Sequence, residues 1–365
     1  MSHHLNSMKI FMLLCTFFSV IRANEMDWDN FKIVYHRKYA SPLEEQHRKK
    51  IYMENKQKIT EHNKRFMDGE VSYTMRLNEY GDMNFTEFHA SFIASGGGNY
   101  TMNVTKGRDL WAEKYVPTAD KELPSEVDWR KKGAVTPARK QGGCGSCWAF
   151  TATSAIESHY LKNGRNISFL SPQNLIDCTM EYGNVGCAGG FRDQGFRYII
   201  ENGGINTEET YPYEEKEGPC RYNASDIGAT LTGFVSVPDG NYQALKDVLA
   251  NIGPVGAVFD ASMETLQFYS SGVYHDPTCR SGIYDLNHDV LVIGYGTENG
   301  TDFWIIKNSW GETWGENGFL KISTATNSCG LASYASYPLI TDSGEEINLE
   351  LLVIIYCFLF ITVSK

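Results

Sequence analysis

With 365 residues, 42% of them hydrophobic, the chain has ample material for a two-layer globular core and for further segments outside it. Its formal net charge is -11, and between 123 and 340 alone 24 acidic residues face 15 basic ones, which argues against nucleic acid as a partner. Of nine cysteines, Cys15 and Cys357 lie in apolar terminal runs. Seven remain in the body: Cys144, Cys147, Cys178, Cys187, Cys220, Cys279 and Cys329. In an exported chain, an odd number leaves one thiol that is reactive or pairs with another molecule.

Ile10 to Ile21 is apolar, follows Lys9 and stops just before the small Ala23, the pattern of a cleaved export signal over residues 1–23. The run is well short of the ~20 residues a spanning helix needs. Export into the secretory pathway is expected, with a lysosomal or extracellular destination. Asn84, Asn99, Asn103, Asn166, Asn223 and Asn299 each head an NxS/T triplet, and as glycosylation acceptors they agree with that route.

From Asp27 to Phe92 the composition becomes charged and helical. Glu44, Arg48, Tyr52, Asn55, Ile59 and Asn63 recur at intervals of three and four, which places them on one helix face. Asn78, Tyr80 and Asp82 follow at alternate positions, Asp82 being expected to find a cationic partner. Composition shifts again at Leu123, so residues 24–122 and 123–340 read as two units.

The stretch QGGCGSCWAF, Gln141 to Phe150, is a glycine-rich loop entering a helix with Cys147 at its start. Trp148, Ala152, Ala155 or Ile156, and His159 keep helical spacing, and Asn163 with Gly164 supplies the stop. Free amides and the positive dipole end at such a position favour a thiolate, the nucleophilic form of cysteine. The Cys144–Cys147 spacing also fits a redox CxxC, but that motif follows a strand in a small domain and needs no distant histidine.

Three histidines lie beyond Leu123. His159 belongs to the Cys147 helix and His275 to a polar turn. His288 opens NHDVLVIGYG, a run of buried-strand character, and is the expected base. FWIIKNSW, beyond the GTENG loop, is a second strand and brings Asn308 close. A five-residue loop would set Asn308 opposite His288, whereas a tight Asn299-Gly300 turn would offset them by three positions. Either register keeps them neighbours, so the Asn308 side-chain carbonyl is expected to accept a hydrogen bond from the His288 ring and orient it, with Trp310 excluding water.

CGSCW, with a histidine and an asparagine far downstream, resembles the papain family of cysteine proteases, and the helix face at 44–63 resembles the ERFNIN pattern of cathepsin L-like propeptides, with Tyr52 where phenylalanine is usual. The resemblance runs from about Asp27 to Ile340. It implies an α+β fold: a helical left half bearing Cys147, a β-barrel-like right half bearing His288, a cleft between, and a mainly helical inhibitory propeptide in front. It pairs Cys144 with Cys187, Cys178 with Cys220 and Cys279 with Cys329, leaving Cys147 free. It makes Gln141 the side-chain donor of the oxyanion hole. It sends the chain from Phe92 to Gly98 backwards over the cleft, although a plain linker with Gly96, Gly97 and Gly98 fits those residues equally well. Asn78, Tyr80 and Asp82 resemble a second motif of such propeptides, in which Arg76 stands where a small residue is usual. The resemblance further implies a substrate pocket walled by Phe191, Arg192, Val258, Leu286 and Tyr334, with Arg192 turned outward into water or lining the rim.

The implied activity is a cysteine endopeptidase that hydrolyses proteins and peptides through an acyl-enzyme, made as a zymogen and inhibited by its own propeptide. No metal or organic cofactor is called for, and cystatin-like inhibitors are admitted as partners. Two other readings are a papain-fold binding protein without catalysis and a cathepsin B-like exopeptidase. Against the first stand Cys147, His288, Asn308 and Gln141. Against the second stand the ERFNIN face and the absence of paired histidines beyond Leu123. Past Ile340 the family pattern ends, and 341–365 adds a polar spacer and the apolar Leu351 to Val363. Asp342, Ser343 and Gly344 are small enough for a GPI attachment site; a membrane span and a read-through tail are the other readings, and a membrane partner follows only from the first two.

Overall fold

The computed structural model describes residues 26–93, 112–117 and 122–340. The export signal, Gly96 to Gly98, Asn99, Asn103 and the tail after Ile340 lie outside them.

Helices α1 (Trp28–Val34) and α2 (Pro42–Met67) lead the chain. Ser41 caps α2 by accepting the Glu44 N–H, with Pro42 at the first helical position where no N–H is needed. Glu44 reaches back to accept the Ala40 N–H at 2.7 Å. The rest of the ERFNIN face works as a row of brackets. Arg48 grips Glu87 at 2.9 Å and the Asp82 carbonyl at 3.2 Å, while Asn55 donates to the carbonyls of Gly81 and Met83. Asn63 exchanges two bonds with the backbone of Met75, at 2.8 and 2.9 Å. Tyr52 and Ile59 are wholly buried beneath. Through these contacts α2 positions strand β1 (Tyr73–Met75) and helix α3 (Phe85–Phe92), which begins in a capping box between Asn84 and Glu87. Asp82 finds Arg37 at 3.4 Å and the Tyr39 hydroxyl at 2.8 Å. Two short strands follow, β2 (Glu113–Lys114) and β3 (Val127–Asp128).

The left half is built on α4 (Cys147–Lys162), buried from Cys147 through Tyr160, the mark of a core helix. Against it pack α5 (Pro172–Cys178) and α6 (Arg192–Asn202), through Trp148, Ala152, Ile156, Leu175, Phe196 and Ile199. A two-stranded ribbon, β4 (Ile205–Asn206) with β5 (Ile227–Ala229), closes this half.

The right half holds β6 (Gly233–Val237), α7 (Tyr242–Asn251), β7 (Val255–Phe259), β8 (Tyr269–Tyr274), β9 (His288–Glu298), β10 (Thr301–Lys307), β11 (Phe319–Ser323) and β12 (Ala335–Leu339). The sheet runs β1-β8-β11-β10-β9-β7-β12-β6-β2, with β3 added to β9. Both outer strands come from the segment ahead of Leu123: β1 lies antiparallel to β8 and β2 parallel to β6. That segment covers the two edges where the main sheet would otherwise show unpaired backbone groups. Arg76 causes no break; its N–H bonds the Phe268 carbonyl at 2.8 Å and continues the pairing.

The hairpin carrying His288 and Asn308 takes the tight turn. Thr301 pairs Glu298 across Asn299 and Gly300, both with positive φ. A bulge between Ile305 and Ile306 then shifts the register by one residue and brings Lys307 opposite Leu291.

Candidate active site

Cys147 is the first residue of α4 and the free cysteine among the described residues; the other six form Cys144–Cys187, Cys178–Cys220 and Cys279–Cys329. Across the cleft, His288 is completely buried at the start of β9, and its Nε2 donates to Asn308 Oδ1 at 2.7 Å. That bond fixes the ring so that Nδ1 carries the lone pair, and Nδ1 has no hydrogen-bond partner among the described residues. Trp310 lies 4.8 Å from the imidazole, centroid to centroid, and is itself fully buried. Water is thereby kept from the His288–Asn308 bond, where low polarity strengthens it.

Gln141 is held from three sides. Its N–H donates to the Ser309 carbonyl at 2.9 Å, and Ser309 Oγ donates to its Oε1 at 2.6 Å, so the side-chain NH2 must face the other way. There it donates to the Cys144 carbonyl at 3.0 Å and to the Phe92 carbonyl of α3 at 3.2 Å. The first unit thus places one of its own carbonyl oxygens on the amide that the resemblance assigns to the oxyanion hole. Ser309 went unnoticed in the sequence, although it adjoins Asn308 in the same strand-like run.

The covering segment is aromatic where it meets this site. Phe88 stands edge-on to Trp310 at 5.1 Å, Tyr80 packs on Phe88 and Phe92, and the Tyr80 hydroxyl donates to the Trp310 carbonyl at 2.8 Å. Asn78 donates to the Gln267 carbonyl, and Gln267 donates back to the carbonyls of Tyr80 and Met83. Burial in this covered state pushes the Cys147 thiol up to about 12, with the Asp289 charge adding to it and nearby backbone N–H groups opposing. Burial likewise pushes His288 down to about 4, against the pull of Asn308. Both shifts point the same way: burial in this state holds the thiol and the imidazole toward their neutral forms.

Phe191, Val258, Leu286 and Tyr334 form one small apolar cluster, with Ile283 packed against it. Tyr334 closes it edge-on to Phe191, ring centroids 6.3 Å apart, and its hydroxyl donates to Asp193 at 2.9 Å. Arg192 departs from expectation. It turns neither outward nor to the rim but is wholly buried, donating to Asp289 at 2.8 Å, Ser336 at 2.9 Å and the Tyr334 carbonyl at 3.0 Å, with its guanidinium 4.5 Å from the Tyr334 ring. A carboxylate, a hydroxyl, a carbonyl and an aromatic face offset the cost of dehydrating that charge. Gly256 leaves the space: a Cβ there would come within 2.5 Å of Arg192 Cδ. Asp289 remains strained electrostatically even so, burial pushing its carboxyl up to about 7.

Of the other histidines, His159 is buried against the Pro254 carbonyl at 3.0 Å and stacked on Tyr337, remote in role from the pair on the cleft. Among the described residues no group of three or more His, Cys, Asp or Glu side chains could hold a metal ion.

Residues 123–339 match the family model described as papain family cysteine protease, and residues 28–88 match the cathepsin propeptide inhibitor domain (I29). The chain is a papain-family cysteine protease. It is 46% identical over 346 residues to a cathepsin L-like peptidase of Aedes aegypti, covering 91% of this chain and 100% of that one. Procathepsin L of Rattus norvegicus is 44% identical, with 86% of this chain and 91% of that protein covered. Among solved structures, digestive procathepsin L 3 of Tenebrio molitor larval midgut superposes with a TM-score of 0.76 at 43% identity, covering 86% of this chain and 98% of that one. The papain-family chain is therefore a cathepsin L-like cysteine endopeptidase made as a zymogen, with its propeptide as inhibitor and proteins as substrates.

Proposed function

We propose that Cys147 is the nucleophile of this endopeptidase, His288 its acid and base, Asn308 the orienter of His288, and Gln141 with the Cys147 N–H the donors to the oxyanion. The observation that carries the reading is the His288–Asn308 bond sealed under Trp310, with Nδ1 left unpartnered, in a fold that has its free thiol at a helix start. When the propeptide leaves, water reaches the pair and the burial that opposes its charged form is relieved, so the proton can pass from Cys147 to Nδ1. The thiolate adds to the substrate carbonyl. His288 protonates the departing amine, then takes a proton from the water that hydrolyses the acyl-enzyme. Gln141 turns from the Phe92 carbonyl to the developing oxyanion.

The working units are 24–122 as inhibitor, 123–340 as enzyme and 341–365 as an extension, with maturation near Leu123. The four described sequon residues, Asn84, Asn166, Asn223 and Asn299, are exposed, which suits glycosylation during export. Cystatin-like proteins would compete for the uncovered cleft. The tail serves as a GPI signal with attachment among Asp342, Ser343 and Gly344; a mass spectrum of native protein carrying an intact tail without lipid would refute this.

Specificity rests on the Phe191, Val258, Leu286 and Tyr334 cluster, which takes the second substrate residue before the cut. With Tyr334 as its floor, the pocket should prefer Val or Leu to Phe, since overfilling a packed site costs ~1 to 3 kcal/mol. In a peptide-library profile, Tyr334→Ala should admit Phe. A wild type that already prefers Phe, or a variant with an unchanged profile, would overturn the assignment.

A further inference from the structure

Residues 213–217 lie along the outside of the catalytic loop, and alternate side chains of this segment reach into it. The Tyr213 hydroxyl donates to the Gln141 carbonyl and lies 2.9 Å from Ser146 Oγ. Glu215 accepts the Gly143 N–H, and Glu217 accepts the Cys187 N–H at 2.9 Å, Cys187 being bonded to Cys144. These hydrogen bonds place all three side chains on the side facing the loop. Glu214, between them, faces away and pairs with Arg221.

Two glycines of the facing backbone leave room for the carboxylates. A Cβ on Gly142 would fall 2.1 Å from the Glu215 carboxylate and one on Gly186 would fall 2.5 Å from that of Glu217. Glu215 itself has φ of +57°, a conformation that costs a side-chain-bearing residue energy and persists only where surrounding contacts fix it. Burial raises the Tyr213 phenol, so it stays protonated and remains a donor. Its ring packs edge-on against Phe150 of α4 at 4.9 Å.

One phenol hydroxyl therefore joins Gln141 to Ser146, the residue whose peptide carries the Cys147 N–H. These are the two sides of the oxyanion hole. We infer that the segment from Tyr213 to Glu217 is a strap that fixes the spacing of the two oxyanion donors, with Tyr213 as a positioning residue for the tetrahedral step. The inference rests on the assignment of Gln141 and the Cys147 N–H to the oxyanion. Among the described residues the Tyr213 hydroxyl bonds the loop and makes no hydrogen bond to His288 or Asn308, so an effect on oxyanion stabilisation can be told from one on thiol activation by experiment.

The test uses the mature enzyme and three readouts: hydrolysis of a peptide amide, inhibition by a peptide aldehyde that forms a tetrahedral adduct, and alkylation of Cys147 by iodoacetamide, which displaces iodide and builds no oxyanion. Tyr213→Phe should lower kcat roughly tenfold, less than the ~100-fold or more seen when a direct donor is removed, and weaken the aldehyde by a similar factor. KM and the alkylation rate should stay within about twofold. Glu215→Ala should show the same split and decides the matter if Tyr213→Phe does not fold. Unchanged kcat in both variants, or a fall in alkylation parallel to that in kcat, would overturn the strap. Gln141→Ala keeps the two assignments apart: if it leaves kcat intact, the oxyanion reading itself is wrong, whereas if it alone lowers kcat, only the strap is refuted.

Discussion

Between Cys144 and Cys329 three disulfides cross-link the enzyme, whereas residues 24–122 contain no cysteine, and those of them that the structure describes are fastened by aromatic rings, side-chain amides and two added strands. Each disulfide closes a loop spanning 42 to 50 positions, which in the chain-entropy picture stabilises the enzyme by about 3 to 4 kcal/mol. None of that depends on pH. The propeptide's hold is of another kind, a set of hydrogen bonds, buried rings and the ion pairs Lys58–Glu264 and Lys140–Glu79, with no covalent link among the described residues. Buried histidines mark the same contrast. His62, on the buried face of α2, has its Nε2 3.0 Å from the Tyr73 carbonyl, at the strand that pairs with the enzyme, and burial lowers its pKa; His89 on α3 is lowered by burial too. His159 in the enzyme is pushed down to about 4 by burial, but within the cross-linked body.

The largest effect should come from removing the thiol. Cys147→Ser should cut peptide hydrolysis by ~10⁴-fold or more and leave a zymogen that cannot mature itself, with both halves of the comparison intact in one chain. Hydrolysis near the wild-type level would show that another residue does the chemistry. Next in size is Phe88→Ala, which removes a fully buried ring from Trp310 and Tyr80. Such truncations cost about 3 to 5 kcal/mol, so the zymogen should lose inhibition at neutral pH while the matured enzyme melts as before. A lowered melting temperature of the matured enzyme would mean that the two regions are not separable in the way described.

Acid should act more gently and on the same seam. A histidine whose folded pKa lies below the ordinary value of 6.5 takes up its proton more readily once released. Its contribution to docking is fully present above about 6.5 and is lost progressively as pH falls toward the folded value. Zymogen should therefore mature faster at pH ~4 to 5 than at pH ~7, and His62→Gln should narrow that ratio. Equal maturation rates at the two pH values, measured by the appearance of mature enzyme on gels, would refute this account of release.

The helix at Cys147, the strand opening at His288, the strand leading to Asn308 and the helix face at 44–63 were legible because each depends on local periodicity, while the ERFNIN character of that face came from the family resemblance. Their assembly was only partly so. The tight turn at Asn299-Gly300 is written in its residues, but the bulge at Ile305 that corrects the register is a tertiary response with no local sign. Arg192 was misjudged for a similar reason: a lone arginine after CAGG reads as exposed, and its partners Asp289, Tyr334 and Ser336 lie 97 to 144 positions away. The Phe92 carbonyl on Gln141 was equally invisible, since it joins residues 49 apart through backbone that carries no sequence signature.

The central proposal is that Cys147 and His288 work as a catalytic pair and that covering the site holds both toward their neutral forms. The most direct measurement is the rate of Cys147 alkylation by iodoacetamide, a reagent small enough to probe thiolate character, followed against pH in the zymogen of His288-intact protein and in the matured enzyme. The account predicts a matured enzyme that reacts well below the ordinary thiol pKa of about 8.5, and a zymogen that stays unreactive across the same range. A zymogen alkylated as fast as the matured enzyme, with the same pH profile, would contradict it.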